Sequence, residues 1–528
     1  MKDLTHPRRP GRGLVPSATA LAFASLALLT ASAHAQPPGD RSQRQFSGEH
    51  RFRPGPTISY LPANDIPLVA VRFVFRVGSQ NDPKGKEGLA ALTAAMVTEG
   101  GNAHLSYDQL LARFYPMASG LSGDCRKEVT VFSGVIHRDN TMSYFPLVVS
   151  MLTSPRFAPE DFERLKNEAI DYVSKSLRAG NDEELGKWAL QVELYKNHPY
   201  GHVDRGTVDG LKSITLADVV QFHRQYYTRE ALHVGIAGSA DATTVSEIRM
   251  PMSLLPTAPL ELLELPRPQA PRGLDVTVIK KPAASTAISL GFPIDVNRRD
   301  DDFYALAVAN SYLGEHRTFN GKLMQDLRAK RGLNYGDYAY LEDFIQEGMS
   351  TFPVPNNPRR QQYFSIWLRP VPNDKAVFAL RGALWELDRL VKDGMSKADF
   401  EATRDYLLNY SKLWVQTLSR RLGYAMDGAF YGRKDLVTEL AERLPKLTVD
   451  DVNAAVRRHL ASPGKKVVLV AEDAEALAKA LKSGEPTPIT YDTEGTPEEV
   501  LKEDKVIAAF PLKDVSVQIV PVGEMFQK

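Results

Sequence analysis

The chain repeats part of its own sequence, and this repeat restricts the folds that are open to it. The segment SPRFAPEDFERLKNEAIDYVSKSL resembles DGMSKADFEATRDYLLNYSKLWVQTL, and SITLADVVQFHRQYYTREALHVGIAG resembles KLTVDDVNAAVRRHLASPGKKVVLVA. Phe162 corresponds to Phe400 at an offset of 238 residues, and Thr215 corresponds to Thr448 at an offset of 233. Two matches in the same order at similar offsets indicate a duplicated unit.

The elements within each repeat predict the fold class. Thr215 and Thr448 are typical N-caps with acidic residues in the first helical turn, and a β-rich apolar segment follows each helix. Strands such as VAVRFVFRVGS and TAISLGFPID, separated by helices such as 160–177 and 376–392, fit an α+β layer structure. We therefore expect an α+β fold of two homologous domains, each an antiparallel-rich sheet covered by helices.

A proline-rich segment places the boundary between the two domains. Residues 250–273, MPMSLLPTAPLELLELPRPQAPRG, contain six prolines, which lack the backbone donors of regular elements, so they predict an extended linker. The N-terminal domain then spans 50–249 and the C-terminal domain spans 274–480. Residues 481–528 lie outside the repeat and predict a tail that packs on the body or on a partner.

The N-terminus predicts a signal peptide over residues 1–35, followed by a short linker over 36–49. A basic start precedes the apolar run SATALAFASLALLTASAHA, which ends in an A-x-A cleavage pattern. We expect cleavage before Gln36, export of a bacterial type and a periplasmic location, while the export route stays open. No other segment is long and apolar enough to predict a membrane span in the mature chain.

The net charge argues against nucleic-acid binding, and the cysteine content excludes an internal disulfide. The formal net charge of +1 supplies no broad positive field for binding nucleic acid. Cys125 is the only cysteine, so the chain forms no internal disulfide. Because no activating partner can be argued for this thiol, we expect Cys125 to be a small strand or turn residue.

Three segments resemble the insulinase/pitrilysin-like zinc peptidases, a family that includes the mitochondrial processing peptidase subunits. These segments are VRFVFRVGSQNDPKGKEGLAALTAAMVTEGG, YKNHPYGHVDRGTVDGLKSITLADVVQFHRQYYTRE and LMQDLRAKRGLNYGDYAY. The resemblance covers residues 50–480 in the right order. It implies two homologous α+β domains in a mitochondrial-processing-peptidase-like clamshell, with a peptide chamber between halves or subunits.

The family's inverted zinc motif, H-x-x-E-H, is replaced by alanines in this chain. Active members carry two zinc-binding histidines and a catalytic glutamate after the GLA turn. The corresponding residues here are Ala91, Ala94 and Ala95, whose methyl groups have no lone pairs. Glu168 matches the family's distal zinc carboxylate, but one carboxylate cannot replace the three protein ligands of a catalytic zinc site. We therefore expect no metal in this chain and interpret Glu168 as a helix-surface carboxylate.

The second-half segment LRAKRGLNY retains two residues that the resemblance assigns to the zinc chamber. They are Arg328 and Tyr335. A tyrosine hydroxyl can donate a hydrogen bond to the oxyanion of peptide hydrolysis, and an arginine can bind substrate carbonyls or orient the tyrosine. The alternative is that Arg328 is a solvated helix residue and that Tyr335 packs on the sheet.

Two other positions have alternative interpretations. His198 and His202 in HPYGH have helical spacing, but Pro199 and Gly201 disfavour a helix, so we interpret them as loop histidines. Residues 118–130 occupy the place of the family's substrate-pairing edge strand. Ser122 and Gly123 replace its usual Asn-Ala, which argues against peptide binding by this half.

The sequence therefore predicts a non-zinc subunit of a periplasmic heterodimeric zinc metallopeptidase, inactive alone. Its partner is a homologous subunit with an intact zinc motif, which carries the zinc, and the substrate is a peptide or unfolded polypeptide. The alternative is a catalytically inert structural or peptide-binding homologue. An independent hydrolase with a different site is disfavoured, because no set of residues supports one.

Overall fold

The computed structural model describes residues 57–346, 348–491 and 495–528. The predicted signal peptide over 1–35 and the predicted linker over 36–49 lie outside the described residues. The described part of the chain belongs to one compact unit.

Two sheets organise the described part of the chain. The first contains β1 (Thr57–Pro62), β2 (Leu68–Phe75), β3 (Ser122–Cys125), β4 (Thr130–His137) and β5 (Leu232–Gly238). The second contains β6 (Leu274–Lys280), β7 (Thr286–Ile294), β8 (Asp337–Tyr340), β9 (Gln362–Val371), β10 (Lys465–Ala471) and β11 (Val515–Pro521). In space the strands follow the orders β1-β5-β2-β4-β3 and β11-β6-β10-β7-β9-β8.

Helices cover both sheets. The first half contains α1 (Leu89–Glu99), α2 (Tyr107–Phe114), α3 (Thr141–Thr153), α4 (Pro159–Asp171), α5 (Asp182–Leu194), α6 (Val208–Ser213), α7 (Leu216–Tyr226) and α8 (Ala242–Met252). The second half contains α9 (Asp302–Gly314), α10 (Ala376–Lys392), α11 (Lys397–Tyr410), α12 (Leu418–Tyr431), α13 (Leu436–Arg443), α14 (Val449–His459), α15 (Ala474–Ser483) and α16 (Glu498–Ala508). Within the described residues, no helix combines the length and the apolar character needed to cross a bilayer.

The strand orders confirm the predicted pair of homologous, antiparallel-rich sheets. Apart from the added strand β11, the two sheets list corresponding strands in the same order. Six of the nine strand pairs are antiparallel. The predicted caps also recur, because Thr215 and Thr448 each form a capping box at the start of α7 and α14. The helices α7 and α14 lead to β5 and β10, which lie inside their sheets.

The two halves exchange one helix each. Helix α5 of the first half packs on β7, β9 and β10 of the second sheet, while α12 of the second half packs on β2 and β5 of the first. Their N-caps, Asn181 and Thr417, lie 236 residues apart, within the range of the repeat. The side chains of Leu422 and Met426 on α12 fill an apolar cluster on the first sheet. Gly235 on β5 permits this close approach, because a Cβ there would lie 2.3 Å from Met426 Sδ.

A long connection distinguishes the second half from the first. Residues 126–129 join β3 to β4, whereas residues 341–361 join β8 to β9. We call the latter segment the inserted loop. Its Arg359 donates to Gln191 on α5 at 2.9 Å, and its Arg360 donates to Glu128 at 2.6 Å. The inserted loop therefore links the second half to the first by buried polar contacts.

Residues beyond α15 also contact both halves. Strand β11 extends the second sheet by pairing in parallel with β6. The last residues then cross to the first half, where Arg178 donates to the backbone oxygen of Met525 at 2.7 Å, and the oxygen of Phe526 accepts from Val208 at 3.0 Å. Met525 and Phe526 are buried in the core of the first half.

Candidate functional site

The helix that carries the zinc-motif positions is held firmly at its start. Gly88 precedes α1 with a φ of 108°, which only glycine adopts readily. The Asp82 carboxylate accepts from the backbone nitrogens of Gly88 and Ala90, each at 2.7 Å. His202 contacts the same carboxylate at 3.1 Å, so this histidine lies in a loop and supports the turn. The local frame for a functional helix is therefore intact.

The zinc-motif positions on α1 offer no groups to a metal. Ala91 and Ala95 are half-buried and share one helix face, and Ala94 is 3% exposed. Zinc is held in proteins by thiolate, imidazole or carboxylate groups, and a methyl group supplies none. Among the described residues, no cluster of three His, Cys, Asp or Glu side chains is placed to hold a metal ion. The residues present do not fit zinc.

The remaining carboxylate of the motif, Glu168, is engaged by a guanidinium. Glu168 is exposed on α4, which packs against α1. Arg164 lies 3.3 Å from its carboxylate and also donates to the backbone oxygen of Glu99, at the end of α1, at 2.8 Å. Both charges are largely solvated, so this pair contributes little to stability. It nevertheless gives Glu168 a partner other than a metal.

Arg328 and Tyr335 lie on either side of a turn in the second half. Arg328 belongs to the π-helical segment Met324–Ala329, and its guanidinium carbon lies 5.2 Å from the ring centre of Phe319. Gly332, at a φ of 62°, donates to the backbone oxygen of Arg328 and ends this helical turn. Tyr335 follows with 81% of its surface exposed. It does not pack on the sheet in the described chain.

Two residues that the sequence analysis missed hold the turn around Tyr335. Asn334 donates to Asp337 at 2.6 Å and to the backbone oxygen of Arg369 at 2.9 Å, and its own oxygen accepts from Gly336. Burial raises the pKa of Asp337 to about 7, while Asn334 and the charge of Arg328 oppose the shift. The spacing N-x-x-D is the only sequence signal for this brace, and it is common in turns.

A second contact that the sequence analysis missed stabilises the residues just before Tyr335. The buried Arg331 guanidinium donates to Asp504 and Glu503 on α16, each at 2.7 Å. These partners lie more than 170 residues away in sequence, so no local pattern could have identified them. The C-terminal helix α16 thereby supports the segment that presents Tyr335.

The edge strand β3 of the first half, with its cysteine, was also singled out by the sequence analysis. Ser122, Gly123 and Asp124 are exposed on β3, which pairs with β4 along one side only in the described sheet. Cys125 is buried at the end of this strand, and burial raises the pKa of its thiol well above the usual value. A thiol that stays protonated is a poor nucleophile, which agrees with the predicted packing role.

Comparison with known proteins indicates the family that this chain resembles. Residues 213–407 match the family described as Peptidase M16 inactive domain. An uncharacterized zinc protease of Mycobacterium tuberculosis is 24% identical over 326 residues, which cover 60% of this chain and 68% of that protein. The non-peptidase homolog YmxG of Helicobacter pylori is 21% identical over 398 residues, covering 75% and 87%.

The chain is a homologue of the M16 peptidases. Its fold agrees with solved structures of such proteins. The peptidase M16 inactive domain from Pseudomonas fluorescens covers 79% of this homologue and 95% of its own chain, with a TM-score of 0.69 and 23% identity. A protease from Helicobacter pylori covers 79% and 97%, with a TM-score of 0.66 and 16% identity. The predicted family and the two-domain fold are thus confirmed.

Proposed function

We propose that this M16 homologue is the non-zinc subunit of a periplasmic two-chain zinc peptidase. In this proposal it contributes Arg328 and Tyr335 to the active site of a homologous partner that carries the intact H-x-x-E-H motif. The observation that carries the proposal is the exposure of Tyr335, 81%, on a turn that Asn334 and Asp337 hold in place. A large exposed aromatic side chain on a hydrogen-bonded turn suits a site completed by another chain.

The chemistry of the two residues supports the same assignment. Hydrolysis of a peptide bond places negative charge on the carbonyl oxygen, and a tyrosine hydroxyl can donate a hydrogen bond to that oxygen. The planar guanidinium of Arg328 can bind the carbonyl groups of an extended substrate or orient Tyr335. The zinc and the activated water would come from the partner, since Ala91, Ala94 and Ala95 offer neither a ligand nor a base.

The exchanged helices favour a chamber formed with a second chain. Helices α5 and α12 pack each half against the other, and Tyr335 is not enclosed between them. A solvent-facing Tyr335 is therefore accessible to a partner subunit without any opening of the two halves.

The test is a reconstituted complex. The mature chain is co-expressed with a relative from the same organism that has an intact zinc motif, and the complex is isolated and assayed for cleavage of β-casein as an unfolded substrate. Tyr335→Phe should lower kcat by about 10²–10³-fold, as is typical for loss of one oxyanion donor. Complex formation and a content of one zinc per complex should not change.

A matched control separates the hydroxyl's role from a general surface effect. Tyr115 in the first half is 86% exposed, so Tyr115→Phe removes an equally exposed hydroxyl and should leave kcat unaltered. An intact complex whose Tyr335→Phe variant has full activity would rule out the contributed donor. One zinc bound by the purified single chain would contradict the interpretation of the alanines.

A second function is peptide binding without catalysis. The exposed edge of β3 favours it, although Ser122 and Gly123 replace the family's usual Asn-Ala on that strand. An edge strand can accept an extended peptide through its backbone groups. This function requires no partner and no oxyanion donor. Binding of β-casein by the isolated chain, with the same affinity in Tyr335→Phe, would support it over the two-chain peptidase.

A further inference from the structure

A cavity of about 90 Å³ lies in the second half, and neither Tyr335 nor the alanines of α1 line it. It is bounded by α9, by the end of β8, by α11 and α13, and by the inserted loop. Apolar side chains form much of its wall, including those of Phe303, Leu407 and Leu436. A buried water needs about 10–15 Å³ of such space, so the cavity has room for several waters or for one small molecule.

Four unpartnered polar atoms belong to side chains that line this one cavity. They are Asn310 Oδ1, His316 Nε2, Asn357 Oδ1 and Trp414 Nε1. His316 is 3% exposed, Trp414 5% and Asn357 9%. Each unsatisfied buried group costs about 1–3 kcal/mol. Such a concentration of unmet hydrogen bonds at one cavity indicates an occupant.

Other contacts define the hydrogen-bonding role of one of these groups and the surroundings of another. Asn357 donates through Nδ2 to Asp343 at 2.7 Å, which leaves its Oδ1 as an acceptor. His316 contacts the Tyr340 hydroxyl through Nδ1 at 2.6 Å, and burial lowers the pKa of this histidine to about 3, so its ring is neutral. The two amide oxygens are therefore unmet acceptors, and the neutral ring of His316 adds no positive charge.

A carboxyl group adds negative charge to the cavity wall. Glu315 follows α9 and forms no ion pair with any described residue. Burial raises its pKa to about 7, and a hydrogen bond with Ser311 opposes this shift. Tyr406 and Tyr410 are the groups of α11 that interact with its charge. Among the described residues of the wall, the one cation is Arg298, which is already paired with Glu342 at 2.7 Å and with Asp427 at 3.3 Å.

We propose that this cavity binds a primary ammonium group carried on a short apolar chain. Glu315 is its anionic partner, the amide oxygens of Asn310 and Asn357 accept its hydrogens, and the apolar wall takes the chain. A co-bound water accepts from the unmet donor Trp414 Nε1. A metal ion is a poorer fit, because the described residues place no three ligating side chains together.

The test uses n-butylammonium as the probe and the thermal unfolding of the mature chain at pH 8, where Glu315 is ionised. A ligand that binds only the folded state raises Tm in a saturable manner. We expect such a rise with n-butylammonium, and none with n-butanol or butyrate at the same concentrations. An equal rise with n-butanol, or no saturable rise with n-butylammonium, would mean that the cavity holds only water and would overturn the proposal.

Variants assign the response to the cavity. Glu315→Gln should weaken n-butylammonium binding at least tenfold, while Glu472→Gln, at an exposed carboxylate on the same half, should leave it unchanged. Ala307→Leu places an apolar side chain in the cavity and should abolish the response without depending on any charge. Unchanged binding in both Glu315→Gln and Ala307→Leu would exclude this cavity as the site.

Discussion

The two halves share a sheet order but differ at the strand that ends each sheet. On β3 the first three residues, Ser122 to Asp124, are exposed, whereas all four residues of β8 are buried. In the second half the segment after α9 covers the edge, because His316 packs against Tyr338 and Tyr340. Phe344 of the inserted loop packs on Tyr340 as well.

This difference shows which parts of a duplicated sheet are free to change. The inner strands carry the cores of both halves and keep their order. An edge strand has one unpaired side, so it can either remain open to an extended chain or be covered by new loops. In this protein the first half kept an open edge, and the second half used its inserted loop to close the other.

The largest expected effect on stability concerns the inserted loop of the second half, compared with the short connection 126–129 of the first half. Arg359 is 1% exposed and bonds Asp343 at 2.6 Å and Gln191 at 2.9 Å. Arg359→Ala removes the cation paired with the largely buried Asp343, which keeps only its neutral donors Asn357 and Tyr363, and should lower the free energy of unfolding by about 3–5 kcal/mol. The measurement is urea denaturation followed by circular dichroism.

The short connection of the first half supplies the matched variant. Arg126 pairs with Asp124, whose side chain is half exposed, so Arg126→Ala should cost less than about 1 kcal/mol. Equal losses in the two variants would show that the inserted loop does not link the halves as the contacts indicate.

A smaller effect is expected at the edge strands, and it depends on pH. Burial raises the pKa of Asp337 on β8 from 3.8 to about 7, so the folded state binds a proton that the unfolded state has lost. The resulting loss of stability begins above pH 4, grows as the pH rises to 7 and is complete above 7. Asp337→Asn removes it and should raise stability by roughly 2–4 kcal/mol at pH 8 and by much less at pH 4.5.

Asp124 on β3 is the residue of the first half whose effect on stability is compared with that of Asp337. Burial also raises its pKa, but half of its side chain is exposed and Arg126 opposes the shift. Asp124→Asn should therefore change stability in the same direction by a smaller amount. Urea denaturation at both pH values measures the difference, and a pH-independent result for Asp337→Asn would contradict the assigned pKa.

The smallest effect should be equal in the two halves. Thr215 and Thr448 form the same capping box on α7 and α14, and the side-chain oxygen of each accepts from the third residue of its helix. Thr215→Ala and Thr448→Ala should each cost about 1 kcal/mol. A difference larger than about 1 kcal/mol between the two would show that the equivalence of these elements does not extend to their energetics.

The sequence predicted what depends on local pattern and failed where distant segments meet. The repeat and its caps predicted two homologous α+β sheets, and the GLA turn placed Ala91, Ala94 and Ala95 on a helix. The exchange of α5 and α12 was not foreseen, because an amphipathic pattern does not specify which sheet a helix covers.

At the candidate site, too, the sequence predicted local features and missed contacts between distant segments. Arg328 and Tyr335 were identified from one continuous segment, and their catalytic role stays a prediction. The brace made by Asn334 and Asp337 has only a weak turn signal, and the contact of Arg331 with α16 has none. The cavity beside Glu315 was also missed, since it forms only when the inserted loop folds over α9 and α13.

The exchanged helices have a consequence for the order in which this protein can fold. The first sheet cannot bury its second face until residues 418–431 have been synthesised, because that face packs on α12. A chain released after the first half would present Ala70, Val74 and Ala237 to water or to other chains. The first half therefore cannot complete its core until most of the polypeptide has been synthesised.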